Sequence, residues 1–510
     1  MGLVTPVDPV SLDELGRVHF TGIGGAGMSG IARIMLARGV AVSGSDSASS
    51  DMLAGLAALG AQVHVGHAAA NIGDADTLVV STAIRDSNPE LAEARRRGLR
   101  VLHRAAALAS VMLGKRGIAV AGTHGKTTCT SMLTTVLRHS GADPSYVIGG
   151  ILAGTGLGAD EGAGDFFVAE ADESDGSFLM LSPEAAIVTC VEADHLDNYP
   201  GLAEIEAAFA AFTRRIRPGG LLVACADDPG AAALATHARA AQARAAQGRA
   251  AQARAAQARP AQARAAAAGA LPVRVRTYGE SAGADYRVSE IATRGMTVRL
   301  AVTGAAADGS FGNDGVVRLD VGVPGRHNAL NAAGVFAIAA ELGVPAGQIA
   351  DGLAAYRGAL RRLELKGEAD GVRVLDSYAH HPTEVAADLR AARDIAEGGR
   401  VIVVFQPHLF SRTRIFAAEF GDALGLADEA FVLGVYAARE DPEPGVTGEL
   451  VSSRVPGARA RYLPDAAAIP AAVAATAKPG DLVLTMGAGD VTRLGPLIVA
   501  ALRVRAGADG

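Results

Sequence analysis

Short apolar runs alternate with helix-patterned stretches along most of this chain. Residues 17–21 read as a strand, a glycine loop follows, and a helical stretch ends near Gly39. Residues 40–43 and 78–81 are the next strand candidates. A charged helical stretch then stops at Gly98, ahead of the apolar pair Val101 and Leu102. Strands and helices in this alternation predict a parallel α/β domain over residues 1–113.

The pattern then repeats. Apolar runs at 118–121, 166–170, 185–191 and 220–224 predict the strands of a second domain, residues 114–322, and polar or charged residues follow their ends. Open α/β sheets place ligands at such ends. A third domain, residues 323–510, opens with an Ala-rich helical stretch at 328–342 and has strand candidates at 372–375, 401–405, 429–433 and 481–485. It too reads as a doubly wound sheet.

One segment breaks the pattern. Residues 238–268 repeat Ala, Gln and Arg with a five-residue period, with Arg239, Arg244, Arg249, Arg254, Arg259 and Arg264 in step. These are helix-forming residue types. Five residues advance a helix by about 140°, however, so the arginines wind around it and leave no apolar stripe. Pro260 interrupts any such helix. The segment is expected to be a solvated low-complexity insertion, partly or wholly disordered. With no aromatic residue interleaved to stack on a base, a nucleic-acid arm is the weaker reading.

Composition narrows the class. The chain has 510 residues, 49% of them hydrophobic but only 4% aromatic and none Trp, so its cores are aliphatic. A net charge of −7 gives no reason to expect nucleic acid or an anionic membrane as partner. Cys129, Cys190 and Cys225 are an odd, widely spaced set suited to reduced thiols. No secretory pattern opens the chain and no long apolar run reads as a membrane span, so a cytoplasmic location is expected.

The strongest chemical signal is Gly122-Thr123-His124-Gly125-Lys126-Thr127-Thr128, placed between the 118–121 run and a helical stretch reaching about Arg138. A strand, a glycine loop, Lys-Thr and a helix make a phosphate cradle. Backbone N–H groups and Lys126 meet the anion, and the Thr127 hydroxyl can hold Mg²⁺. The loop is shorter than the strict nucleoside-triphosphate pattern, which has a glycine where Val120 stands. Lysine occurs only four times in the chain, so a lysine at the loop's centre is itself a signal for ATP handling.

A second cradle lies upstream. Gly22-Ile23-Gly24-Gly25-Ala26-Gly27 follows a strand and opens a helix, and Asp46 stands at the spacing of a ribose-binding carboxylate. Such a loop accepts any pyrophosphate. It suits a dinucleotide, as in an NAD-dependent oxidoreductase, or a UDP-type group. The oxidoreductase reading leaves the Lys126 loop without a role.

Acidic strings follow two central strands, Glu170 to Asp175 and Glu192 to Asp197, the latter containing His195. Carboxylates suit Mg²⁺; an imidazole is an unusual partner for it. Farther on, Gly325-Arg326-His327-Asn328-Ala329-Leu330-Asn331 opens a helix. Asp376-Ser377-Tyr378-Ala379-His380-His381-Pro382 follows a strand, and Arg412 and Arg414 follow another. These read as substrate and nucleotide contacts, the arginines as clamps for a carboxylate or phosphate.

In this order the motifs, beginning with His19 to Gly30 and ending with Phe405 to Arg412, resemble the Mur ligases of peptidoglycan synthesis over nearly the whole chain. The resemblance implies a three-domain α/β enzyme: an N-terminal Rossmann-like domain for the UDP-sugar, a central P-loop ATPase-like parallel sheet, and a C-terminal Rossmann-like domain for the amino acid. It implies ATP and Mg²⁺, with UDP-N-acetylmuramate and L-alanine as substrates, joined through an acyl phosphate by a monomer or homodimer. A peptide-adding muramyl ligase of cell-wall recycling is the rival within the family.

By the same resemblance, Gly122 to Thr128 bind ATP, Lys126 through its β- and γ-phosphates, and Thr127, Glu170 and His195 serve the metal. His327, Asn328 and Asn331 contact the nucleotide, and Arg362 and Asp376 complete the ATP site. Tyr378, His380 and Arg412 face the amino acid. Gly22, Gly24, Gly25, Gly27, Asp46, His67, Ser81 and Thr82 line the UDP-sugar pocket. Sister ligases use a carbamylated lysine at the metal. Here no lysine lies between Lys126 and Lys366, so His195 with carboxylates stands in. Leu409 stands where a basic residue is expected, and Ser377 where a second acid is.

Overall fold

The computed structural model describes residues 4–196, 198–257, 271–304, 315–438 and 440–508, without the side chains of 248–257 and 508. The chain forms two compact units. One comprises Met1–Val288, Val302–Val317 and Ala333–Gly352; the other comprises Ser289–Ala301, Arg318–Ala332 and Leu353–Gly510. No helix among the described residues is long and apolar enough to cross a membrane.

The first unit holds two sheets. In the N-terminal one, β1 (Val18–Thr21), β2 (Val42–Asp46), β3 (Gln62–Val65), β4 (Thr77–Val80) and β5 (Arg100–His103) lie parallel in the order β3-β2-β1-β4-β5. The order reverses between β1 and β4, which opens a crevice at their carboxyl ends. The sequence pattern misses β3, which is mostly exposed and has no apolar run to reveal it.

Beneath this crevice Glu90 is wholly buried at the start of the helix Pro89–Arg97. It accepts hydrogen bonds from Thr21 Oγ1 (2.8 Å), Ser45 Oγ (2.7 Å), Asn71 Nδ2 (2.8 Å) and Ala68 N (3.3 Å), and His19 Nε2 stands 3.4 Å away. Burial alone raises a carboxyl's pKa. Here His19, Ser45, Asn71 and Thr21 outweigh it and bring Glu90 down to about 2. A carboxylate held below its unfolded value stabilises the fold above the unfolded pKa and stops doing so as pH falls through the folded one. Glu90 is therefore expected to contribute about 3 kcal/mol above roughly pH 4.5, fading toward pH 2. Denaturant unfolding of wild type and Glu90→Gln across that window should show a stability gap that closes on acidification.

The central sheet is built on β6 (Arg116–Ala121), with β7 (Ser145–Leu152), β8 (Leu157–Asp160), β9 (Phe166–Glu170), β10 (Ala185–Val188), β11 (Leu221–Cys225) and β12 (Arg274–Gly279). Within the first unit they run β12-β11-β10-β6-β9-β7-β8. β6, flanked by β10 and β9, is a second switch point, and it feeds the Lys126 loop and the helix Lys126–His139.

The helix Pro229–Gln257 includes much of the Ala/Gln/Arg repeat. Helix propensity shapes 238–257, while Pro260 and the rest of the repeat lie outside the described residues. Roughly a dozen helical residues match the length of a six-residue strand, enough to return along the sheet from β11 to β12. Burial agrees: Ala231, Leu234 and Ala235 pack inward, and Ala243 to Gln247 are all exposed. Replacing 244–268 by a short Gly/Ser linker is expected to leave turnover within about twofold and stability within about 0.5 kcal/mol. Phosphate-release rates and thermal melts of the two proteins test this.

Through β13 (Tyr286–Arg294), β14 (Thr297–Gly304) and β15 (Val316–Val321) the chain passes to the second unit. There β16 (Arg362–Ala369), β17 (Val372–Ser377), β18 (Val401–Phe405), β19 (Glu429–Val432), β20 (Ala460–Tyr462) and β21 (Leu482–Met486) form a sheet ordered β16-β17-β21-β18-β19-β20. All neighbours are parallel except the β16–β17 pair. Val, Leu, Ile and Phe side chains on both faces of β18 and β21 form two cores under flanking helices.

Candidate active site

The Lys126 loop leaves β6 through Gly122 (φ +134°) and enters its helix through Gly125 (φ +83°), backbone conformations that favour glycine. A Cβ on Gly122 would fall on the Thr189 hydroxyl. The segment after β10 clamps the loop. Cys190 O accepts from Thr123 N (3.0 Å), Thr189 Oγ1 donates to His124 O (2.5 Å), and Glu192 N donates to Thr123 Oγ1 (2.9 Å).

Lys126 Nζ sits among Gly122 O (2.8 Å), Thr123 O (3.1 Å) and both oxygens of Glu173 (2.8 and 2.9 Å). Glu173 is 1% exposed. Burial works to discharge Lys126, but the charge of Glu173, with Asp172 and Glu170 behind it, holds the ammonium above its ordinary pKa. His195 Nε2 approaches the same Glu173 at 3.5 Å and Asp194 at 3.7 Å. Burial opposes its protonation, yet these carboxylates raise its pKa. His195 holds a left-handed φ of +53°, a backbone cost that tight surroundings sustain at functional sites.

Thr127 and Glu170 meet at the Gly149-Gly150 step of β7. Glu170 Oε1 accepts from Gly149 N (2.7 Å). A Cβ on Gly149 would lie 2.6 Å from Glu170 Oε2, and one on Gly150 would lie 3.0 Å from Thr127 Cγ2. Two glycines thus leave room for the Glu170 carboxylate and the Thr127 side chain, whose carboxylate and hydroxyl oxygens are of the type that suits a hard cation. The sequence reading leaves out Glu173: once the strand ends at Glu170, no periodicity distinguishes one acidic position from the next.

A cavity of about 220 Å³ in the same unit is lined by Gly27 and Arg104 on one side and Gly149, Glu170, Asp172 and Phe178 on the other. It brings the end of the first glycine loop together with Gly149, Glu170 and Asp172 of the central sheet. Arg104, also absent from the sequence reading, donates to Asp172 Oδ2 (2.6 Å). Burial raises the pKa of Asp172; Arg104, then Lys126, outweighs it and drives it far below the carboxylate range.

In the first crevice, Gly22 turns with φ +81° and its N–H, like that of Ile23, donates to Ser45 O. Gly24 N donates to Asp46 Oδ2 (2.9 Å), and a Cβ on Gly24 would sit 2.9 Å from that oxygen. Gly25 caps the helix Ala26–Ala37, His67 Nδ1 lies 2.8 Å from Ser45 Oγ, and Ser81 and Thr82 follow β4 directly.

The second unit gathers the remaining residues. His327 Nε2 lies 3.5 Å from Asp388, which accepts from Ser377 Oγ. Burial lowers the His327 pKa and raises that of Asp388. Asn328 Nδ2 donates to Pro324 O (2.7 Å) and Asn331 Nδ2 to Asn328 Oδ1 (3.4 Å).

Asp376, expected at the ATP site, is wholly buried in β17, where Thr485 (2.7 Å) and Thr492 (2.7 Å) donate to its two oxygens. It can position other groups: Arg361 Nε stands 3.4 Å away. Arg361 donates to Gly487 O (2.5 Å) and Gly489 O (3.1 Å) and lies over the Tyr378 ring at 4.7 Å, with Arg362 at 5.4 Å from the same ring. Tyr378, His380, His408 and Tyr436 form a chain of ring contacts at 5.3, 5.7 and 5.8 Å. Arg412 is buried in the short helix Phe410–Ile415. Leu409 precedes it with φ +68°, tied by its N–H to Tyr436 O (2.9 Å).

Family models match three stretches: Mur ligase family, catalytic domain, at residues 17–116; Mur ligase middle domain at 120–270; and Mur ligase, glutamate ligase domain, at 361–489. A UDP-N-acetylmuramate–L-alanine ligase of Thermobifida fusca is 55% identical over 510 residues, covering 98% of this chain and 100% of that protein. One of Kineococcus radiotolerans is 55% identical over 499 residues, with 96% and 97% covered. The crystal structure of UDP-N-acetylmuramate-alanine ligase from Thermotoga maritima superposes with TM-score 0.75 at 27% identity, covering 97% of this chain and 100% of that one. A murein peptide ligase of Psychrobacter arcticus, at 22% identity, shares the fold with TM-score 0.65 over 96% and 99% of the chains. Its three α/β sheets, its paired glycine loops and these matches together make the chain a member of the Mur ligase family.

Proposed function

We propose that this chain joins L-alanine to the carboxylate of UDP-N-acetylmuramate, with ATP as the energy source, as a cytoplasmic step of peptidoglycan synthesis. The observation that carries the reading is the Lys126–Glu173–His195 cluster on a phosphate loop. It lies in the same unit as a second glycine loop and a cavity lined by Gly27 of that loop and by Glu170 and Asp172 of the acidic string that contains Glu173. In the proposed domain order, 1–113 takes the sugar nucleotide, 114–322 takes ATP and 323–510 takes the amino acid.

A carboxylate is a poor electrophile. Transfer of the γ-phosphoryl group to a muramyl carboxylate oxygen releases ADP and gives an acyl phosphate. The neutral amine of L-alanine then attacks the acyl carbon, the C–O bond to phosphate breaks, and an amide and inorganic phosphate result. The chain's share is positioning and charge neutralisation. Lys126 holds the β- and γ-phosphates, the loop N–H groups cradle them, and Glu173 favours the charged forms of Lys126 and His195. His327, Asn328 and Asn331 contact the nucleotide. Tyr378 and His380, with Arg361 over the ring, hold the amino acid beside Arg412. Thr127 and Glu170 would hold Mg²⁺, with His195 nearby; the ion supplies charge neutralisation on the phosphates.

Phosphate release with UDP-N-acetylmuramate and ATP, comparing L-alanine, glycine, L-serine and the tripeptide, tests the assignment. L-alanine should give the highest kcat/KM. Preference for the tripeptide would move the chain to the recycling branch of its family.

A further inference from the structure

The nucleotide crevice contains a polar relay that none of the roles above uses. Glu90 has no access to solvent and is ionised, so it accepts hydrogen bonds and donates none. Ser45 gives its one hydroxyl proton to Glu90 Oε2 at 2.7 Å. Toward His67 Nδ1, 2.8 Å away, the same oxygen must therefore accept. That assigns a proton to Nδ1 and leaves Nε2 as the ring nitrogen not engaged by Ser45.

Glu90 also fixes the backbone that carries His67. Its Oε1 accepts from Ala68 N and from Asn71 Nδ2, and Asn71 donates in turn to Gly66 O (3.0 Å). Gly66 N donates to Asp46 O (2.7 Å), which joins this loop to the strand end that presents Asp46. The His67 side chain is 23% exposed, whereas Glu90 and His19 beneath it are 0% exposed. One ring nitrogen is thus committed inward, on a carboxylate-anchored loop beside the nucleotide crevice.

We propose that Glu90, acting through Ser45, is a positioning residue that locks His67 in its Nδ1–H tautomer, so that Nε2 accepts a hydrogen bond from the nucleoside part of the sugar nucleotide. The donor is either an imide N–H of the base or a ribose hydroxyl. This rests on the first crevice being the sugar-nucleotide site.

The test uses the full-length enzyme with Ser45→Ala, which cuts the relay and leaves Glu90 held by Thr21 and Asn71; Glu90→Gln is the second variant. Nitrogen-15 spectra, with His67 assigned through His67→Asn, read the tautomer. Calorimetry reads the affinity for UDP-N-acetylmuramate, UDP, N3-methyl-UDP and 2′-deoxy-UDP. Wild type should show Nδ1–H, and Ser45→Ala should move the proton toward Nε2. Affinity for UDP should fall on the order of tenfold, the value of one hydrogen bond, with the KM for ATP within about twofold. One analogue should lose a similar factor against wild type and little against Ser45→Ala, which names the donor. An Nε2–H ring in wild type, or both analogues binding like UDP, overturns the proposal. If Glu90→Gln fails to fold, Ser45→Ala decides alone. Wild type that binds no UDP-sugar overturns the functional reading instead, and the spectra still judge the relay.

Discussion

Replacing Lys126 by alanine is expected to lower kcat/KM for phosphate release by on the order of a thousandfold or more, with UDP-N-acetylmuramate affinity changed less than about twofold. The size follows from the task. Phosphoryl transfer asks the protein to neutralise and place charge, and the partly buried Lys126 ammonium is the cation the phosphate loop itself supplies. The selectivity follows from topology. Lys126 starts the helix after β6, whereas Gly24, Asp46 and His67 belong to the β1–β4 crevice of a different sheet. Removing Lys126 also leaves Glu173 buried without its closest partner, which costs roughly 3–5 kcal/mol. Lys126→Met, which keeps the stem's volume, therefore belongs beside Lys126→Ala, with circular dichroism confirming that both fold. Equal loss of turnover and UDP-sugar binding in folded protein would contradict two separate anion cradles.

The sequence made the glycine loops and the strands feeding them readable because both obey local rules. β9 and β18 fall where apolar runs end in polar residues, and the helix Lys126–His139 begins at the lysine its loop predicts. What stayed hidden depends on partners distant in the chain. β7 carries Gly149-Gly150 in its middle, which reads as a break; the fold uses the gap to admit Thr127 and Glu170. Arg361 and Arg362 are neighbours, and only the approach of Gly487, Gly489 and Asp376 distinguishes their roles. Glu90 stands among arginines on a helix that looks like a solvated face, and its burial follows from Thr21 and Ser45 on strands far upstream. The surroundings of Asp376 stay hidden for the complementary reason: a carboxylate at a strand end looks available until Thr485 and Thr492 are brought against it.

Glu173→Gln is expected to cost on the order of a hundredfold or more in kcat while leaving the phosphate loop's lysine in place. Glutamine keeps the shape but removes the charge that faces Lys126 on two oxygens and His195 at 3.5 Å, all within a site with little access to water. The stability loss, roughly 3–5 kcal/mol for breaking a buried pair, should depend on pH in a defined direction. In wild type the His195 pKa is raised, so its share of stability is present in full below its unfolded value near 6.5 and is lost as pH rises through the folded one. In Glu173→Gln only Asp194 is left to oppose burial, so that share shrinks. The gap between the two proteins in denaturant unfolding should therefore be larger on the acid side of the His195 titration than on the alkaline side, where only the Lys126 pairing separates them. A gap that widens toward alkaline pH would mean that His195 is supported by Asp194 and not by Glu173. A Glu173→Gln enzyme with wild-type kcat would remove the cluster from the chemistry altogether.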